Sequence, residues 1–453
     1  MAKKAKITKT RKGNLLNVVN PDSAGIDIGD YEIQVCVPAE RDDDNNRTFG
    51  TFTCELRDLV SYLKACGIKT VAMEATGVYF VSLYMMLQQE GFEVLLANPH
   101  DVRKYVDKKT DASDAEWLMT LCAYGLITPC FQPENVARKI RNLCRHRNEL
   151  IQSAARETQH MQKAMQLMNI KLDTVISDIT GKSGTSIIEA ILSGNHAPES
   201  LAALADRRCK ASKETIAKSL EGTWDEDHML VLKQSRSLYC TYQSLIEEVD
   251  AKIGELLEQY DASIDRKASE VKLDKRQKRK SKNAPRMDIE SYANSIWSVN
   301  VMAIPGLSAN VVMQLIGELG HNFTDKFETA GKFCRWLNLA PDDHISGGKV
   351  LSSHLSKRKN PAGQMIRQVA NSLHDAKDEM GIYYRRMKSR LGGMMATIAT
   401  AHKIAKILYV MVKFGREYDG TKVGLDEKEL LERKIERMQR KLSKLEDKYK
   451  KAC

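Results

Sequence analysis

Two carboxylates stand three residues apart in "KKTDASDAEWLM", Asp111 and Asp114, where a basic run gives way to a helical pattern. Side chains three apart on a helix share a face, with Cβ atoms roughly 5–6 Å apart. Two more acids occupy strand-like surroundings that normally carry apolar residues: Asp27 in "AGIDIG" and Glu74 in "VAMEATG". Each has a plain structural reading: Asp111 as a helix cap, Asp114 in a favourable contact with the helix dipole, Asp27 and Glu74 as strand ends. If the helix packs against the first strand, however, the four carboxylates converge, and such a cluster repels itself unless cations neutralise it. Two Mg²⁺ ions about 4 Å apart would do so and could polarise a phosphodiester.

A second candidate centre lies far downstream in "LAPDDHISGGKVLSSHLSKRKNPAGQMIRQ". Ser346 precedes Gly347 and Gly348, which permit close backbone approach to a phosphate, and Lys349, Lys357, Arg358, Lys359 and Arg367 supply cations nearby. The competing reading is a basic loop in which Ser346 is a turn residue, and Ser356 is a competing nucleophile. His344 is the one local candidate for a proton shuttle. His100, His146 and His354 show no ligand-like spacing, and neither a phosphate-loop lysine motif nor a dinucleotide fingerprint is present. "IPGLS", residues 304–308, is similar to the hairpin of a helix-hairpin-helix, whose amides grip phosphates.

The elements that must position these groups fall into blocks. A basic tail, 1–20, precedes a domain at 21–130 in which three short strands are followed by alternating helices and strands, an α/β pattern with a mixed sheet that suits an RNase H-like fold. Residues 131–262 read as long, charge-laced helices forming a helical or coiled-coil spacer, and 263–290 as a basic linker with few apolar residues. A mostly helical C-terminal domain spans 291–420. In the last segment, 421–453, Leu431, Ile435, Met438, Leu442, Leu445 and Tyr449 alternate in steps of four and three, the seam of a short coiled-coil helix.

Composition narrows the partners. Lys and Arg outnumber Asp and Glu by 70 to 59 in 453 residues, a formal charge of +11, which favours a polyanion over an acidic small substrate. Phosphate-driven binding through 263–290 and the spacer surface is the corresponding expectation. Ten cysteines are scattered singly with no CxxC pair, as in a reducing cytosol. The basic N-terminus has no signal-peptide core and no apolar run suggests a membrane span, so a soluble protein inside the cell is expected.

Taken in order, "GIDIG", "MEATGVY", "KTDASDAEWL", "IPGLS", "GKFCRWLNLAP" and "SGGK" with the following "SK" and Arg367 resemble the DEDD transposases of the insertion-sequence 110 family, relatives of the Piv invertases. The likeness covers most of 21–130 and 295–418. It implies a RuvC-like nuclease domain, a helical spacer that helps make dimers or tetramers, and a C-terminal transposase domain. Asp27, Glu74, Asp111 and Asp114 would be the metal-holding tetrad, and Ser346 the nucleophile. It also implies direction by a bridge RNA, action on element ends and target DNA, and a bacterial or archaeal cytoplasm. Gly29-Asp30 after the first acid, the basic linker and the C-terminal seam depart from the family pattern. The implied function is excision and integration of an insertion sequence by Mg²⁺-assisted serine attack on DNA, with activation coming from metals of the first domain brought to the serine loop, within one protomer or across two. The alternatives are a Holliday-junction nuclease using water, and a non-enzymatic nucleic-acid scaffold.

Overall fold

The computed structural model describes residues 17–98 apart from 76, 111–264, 282–423 apart from 357 and 358, and 435, 438–440, 442 and 443, with the side chains of 111–113, 342 and 344 excluded. The chain divides into two compact units, Met1–Gln132 and Pro133–Cys453.

In the first unit β1 (Ser23–Ile28), β2 (Glu32–Cys36) and β3 (Asn46–Gly50) form an antiparallel meander. Helix α1 (Thr53–Ala65) carries the chain to β4 (Thr70–Glu74), and α2 (Phe80–Gln89) carries it to β5 (Glu93–Ala97). Both later strands run parallel, giving the order β3-β2-β1-β4-β5. The mixed sheet read from the sequence is therefore present, flanked by helices.

The period-2 rule assigns the two faces. Ala24, Ile26, Ile28, Val71 and Met73 pack with Leu56, Leu59 and Leu63 of α1 and Leu83 and Leu87 of α2. The intervening residues face the other way, where Ala72 and Ala97 pack with Leu118, Leu121 and Cys122 of α3 (Asp111–Ala123). Helix α1 starts cleanly because the Glu55 carboxylate accepts a hydrogen bond from the Phe52 N–H (2.9 Å).

In the second unit α4 (Asn135–Leu167) and α9 (Glu226–Ser263) run antiparallel, as the pairs Glu134–Tyr260 and Arg147–Asp250 require. The long helices expected at 131–262 are present, but they are not one uninterrupted spacer. Between them the chain folds α5 (Leu172–Val175), α6 (Lys182–Leu192), α7 (Pro198–Ala203) and α8 (Lys213–Ser219) around Ile179, Ile187, Ile188, Ile191, Leu201, Ile216 and Leu220. Backbone bonds from Lys171 N–H to the Ser219 carbonyl (2.7 Å) and from Thr223 N–H to the Met168 carbonyl (2.9 Å) close the insert at its base. Those isoleucines demand a core, and Gly181, Gly194 and Pro198 break any longer helix.

The remaining helices are α10 (Ile289–Trp297), α11 (Ala309–Leu319), α12 (Phe323–Lys326), α13 (Ala330–Trp336), α14 (Pro361–Ser372), α15 (Glu379–Leu391) and α16 (Gly393–Phe414). Trp297, Phe323, Phe333 and Tyr409 meet in an aromatic cluster that ties α16 to α10, α12 and α13. Helix α16 is, by length and composition, apolar enough to cross a membrane, contrary to the reading of the sequence. Its apolar face, with Ala401, Ile404, Ala405, Leu408 and Tyr409, is buried inside this unit, as in the core helix of a folded domain.

Between α13 and α14 the helical pattern is broken by an antiparallel hairpin, β6 (Asp342–Ser346) and β7 (Lys349–His354). Most of the N-terminal tail, most of the basic linker and half of the C-terminal seam lie outside the described residues; of the seam, Ile435, Met438 and Leu442 are helical and exposed.

Candidate functional site

Asp27 and Glu74 are brought to one edge by strand register. The last β1–β4 pair is Ile26 with Met73, so Asp27 and Glu74 stand one step further on, at the same end of adjacent parallel strands. Both are half-buried. Asp27 shares the face of Gly25, and Glu74 that of Ala72, which is the face covered by α3.

The approach of α3 is unusually close. A Cβ at Gly25 would lie 2.0 Å from the Ala115 carbonyl oxygen and 2.3 Å from the Met119 nitrogen, so only glycine admits the helix there. At its other end α3 is tied to the segment before β1: the Ala123 carbonyl accepts from the Val19 N–H (2.8 Å), and the Cys122 carbonyl from the Asn20 side-chain amide (2.8 Å). The helix thus runs antiparallel to β1, and its first turn, with Asp111 and Asp114, opens toward the strand end that carries Asp27 and Glu74. Sequence reasoning singled out the acids but passed over Gly25, the residue that lets α3 come this close to β1. Its signal was a bare position two before Asp27 on the same face of the strand.

The donor set consists of hard carboxylate oxygens with no imidazole or thiolate, which fits a cation such as Mg²⁺ rather than a soft metal. Cys36 pairs with Gly25 across the sheet, and burial together with the charge of Glu116 pushes it up to about 11, leaving it a neutral thiol. Among the described residues no group of three or more His, Cys, Asp or Glu side chains is gathered closely enough to hold a metal ion. The side chain of Asp111 lies outside the described residues, and strand register and helix direction bring only the backbone positions of the four acids to the same end of the sheet.

Ser346 belongs to the second unit. Gly347 and Gly348 both have positive φ, 55° and 76°, and form the two-residue turn of the β6–β7 hairpin, a conformation that suits glycine at both positions. The turn makes Ser346 and Lys349 a cross-strand pair, with side chains on the same side at an exposed tip. The side chain of His344 lies outside the described residues. Ser356 is placed differently: it is half-buried at the hairpin base, where its carbonyl accepts from the Asn338 side-chain amide (2.8 Å) and the Asn338 carbonyl accepts from Arg367. Lys349 is exposed beside the serine, whereas Arg367 is spent on the hairpin base. In "IPGLS", Gly306 (φ 87°) turns its bare face to Val369 and Leu373, and Ser308 caps α11.

Residues 24–170 match the DEDD_Tnp_IS110 transposase model, and residues 299–384 match the model of the Transposase IS116/IS110/IS902 family. No curated protein matches the chain. Transposases cut and rejoin DNA, and the DEDD class works with divalent metal ions. The first match contains all four acids and the second contains both serines, and together they span about half of the chain in the family's own order. The chain belongs to the IS110 family of transposases.

Proposed function

We propose that this transposase excises and integrates its insertion sequence through serine attack on DNA phosphodiesters, assisted by two Mg²⁺ ions and directed by a bridge RNA. The observation that carries the reading is the placement of Asp27 and Glu74 at one end of adjacent parallel strands, on the face toward which the first turn of α3 opens. Mg²⁺ bound there would withdraw charge from the scissile phosphate and favour ionisation of the attacking hydroxyl.

The chain's own groups account for the remainder. Asp27, Glu74, Asp111 and Asp114 would hold the cations. The Ser346 Oγ forms a bond to phosphorus, the bond to the deoxyribose oxygen breaks, and that oxygen leaves with a proton. The phosphoserine link retains the energy of the broken bond, so attack by a second deoxyribose hydroxyl reverses the step and rejoins the strand. Lys349, the cross-strand neighbour of Ser346, is suited to offset charge on the non-bridging oxygens. The positive excess of the chain and the resemblance to its family support binding to both DNA and RNA, by an assembly of two or four copies.

Strand cleavage of element-end DNA with and without Mg²⁺ tests the reading. Asp27→Asn, Glu74→Gln, Asp111→Asn and Asp114→Asn should each abolish cleavage and spare DNA binding. Wild-type recombination by both Asp111→Asn and Asp114→Asn would remove the tetrad. Cleavage with no covalent intermediate would instead favour the water-using junction nuclease.

A further inference from the structure

The hairpin of α15 and α16 reaches past the last family-matched residue, 384, and nothing in the proposed chemistry uses it. Its composition is one-sided: residues 380–416 contain eight Lys and Arg and no Asp or Glu. Lys413 pairs with Asp325 (3.0 Å), and Arg385 donates to the backbone carbonyls of His374 and Ala376. Among the described residues no carboxylate forms an ion pair with Arg386, Lys388, Arg390, Lys403 or Lys406.

Three of these cations crowd together across the two helices. Burial lowers the Lys403 pKa, and repulsion from Lys406 and from Arg386 of α15 lowers it further; His402 is lowered by burial and then by Lys406. A protein that sets like charges side by side without a counter-charge has a surface prepared for a polyanion.

The tip adds a second feature. The chain reverses on Gly392 alone, at φ 82°, where any larger residue would be strained. Tyr384, Met387 and Ala396 seal the helices together just behind the turn. Ahead of the seal, Leu391, Met394 and Met395 stand 49, 80 and 51 % exposed, flanked by the exposed Lys388 and Arg390. Three large apolar side chains grouped in water mark a contact surface. From Met395 to Lys406 the helix rises about 16 Å, so the cations form a track leading back from the apolar tip.

We infer that the α15–α16 hairpin is a DNA-deforming wedge: Leu391, Met394 and Met395 enter between base pairs of duplex DNA, while Lys388, Arg390, Arg386, Lys403 and Lys406 hold the phosphates on either side. Apolar wedges between cations unstack base steps and kink a duplex, with wider phosphate contact compensating the broken stacking. A second copy of the hairpin is disfavoured as occupant because it presents the same charge. The inference rests on the proposed action on duplex DNA, and bending is read separately from cleavage.

The test uses the full-length protein and an end-labelled duplex whose bending is followed by energy transfer. Met394→Ser with Met395→Ser, both exposed, should abolish the bend and leave the salt dependence of binding intact. Lys388→Gln with Arg390→Gln and Lys406→Gln should weaken duplex binding on the order of tenfold and flatten log K against log salt by about 0.9 for each phosphate no longer neutralised. A wild-type bend in the methionine variant would overturn the wedge, and so would wild-type duplex binding by the cation variant or losses confined to single-stranded RNA or to phosphatidylserine vesicles. Normal cleavage by variants that bend and bind normally would sink this inference alone. A wild type that neither binds nor cuts duplex DNA would sink the function on which it rests.

Discussion

Gly25 of β1 and Ala115 of α3 meet with no room for a side chain between them, a built Cβ standing 2.0 Å from the Ala115 carbonyl oxygen. This contact sets how deeply the helix carrying Asp111 and Asp114 settles over the strand carrying Asp27. The obstruction is backbone, so it cannot be relieved by a rotamer change.

Gly25→Ala should lift α3 and cost about 1–3 kcal/mol of stability through overpacking. Strand cleavage should fall by more than the loss of folded protein explains, because the carboxylates are displaced as well. Gly331→Ala in α13 is the control, since its new Cβ meets only the Thr329 hydroxyl at 3.7 Å. It should be neutral or stabilising by about 0.4–1 kcal/mol. Urea denaturation alongside a cleavage assay separates the two effects.

The Arg147–Asp250 pair joins α4 to α9 and has side chains only 1 and 6 % exposed. The Arg147 guanidinium also donates to the Asn310 side chain (3.1 Å) and the Asn283 carbonyl (3.1 Å), so it pins α11 and the C-terminal part of the basic linker to the same point. Arg147→Met alone should cost about 3–5 kcal/mol by leaving a buried carboxylate uncompensated, and adding Asp250→Leu should recover part of it. A double-mutant cycle in denaturant checks this; additive losses would mean that the two charges are not coupled.

At the end of the same helical pair, Glu134 accepts from the Tyr260 hydroxyl (2.6 Å) and lies 2.8 Å from His321 Nδ1. Burial works to raise the Glu134 pKa, but the bonds from His321 and Tyr260 outweigh it and hold the carboxyl below its ordinary 4.5. A depressed folded-state pKa contributes stability that is fully present above the unfolded value and lost as pH falls through the folded value. Glu134→Gln should therefore be less stable than wild type at pH 7, with the gap narrowing only below pH 4.5. Denaturation midpoints at pH 7, 5 and 3.5 provide the comparison, and a gap independent of pH would contradict it.

The first unit was largely legible because its signals are local. Short apolar runs broken by turns announced β1 to β5, and acids where strands want apolar residues marked Asp27 and Glu74. The depth of α3 was not legible, since it depends on the absence of a side chain at Gly25, two positions from the residue that draws notice. The hairpin at Ser346 was missed for a different reason. Ser-Gly-Gly-Lys is a two-residue turn signal, but the flanking "DDHIS" and "KVLSSH" are too polar to suggest strands, and Asp343, Ile345, Ser346 and all of 349–354 are exposed in the structure. The insert between α4 and α9 was hidden by the strong helical periodicity on both sides, although its isoleucines required burial somewhere.

Whether Ser346 is the nucleophile is read most directly by mass spectrometry of the protein–DNA complex trapped during strand cleavage with Mg²⁺. The hairpin presents Ser346 at an exposed tip beside Lys349, whereas Ser356 is half-buried at the hairpin base. A phosphodiester is expected on the peptide containing Ser346, absent in Ser346→Ala and kept in Ser356→Ala, with metal binding and DNA assembly unchanged in both. An adduct on Ser356, or cleavage by the wild type with no adduct at all, would contradict it.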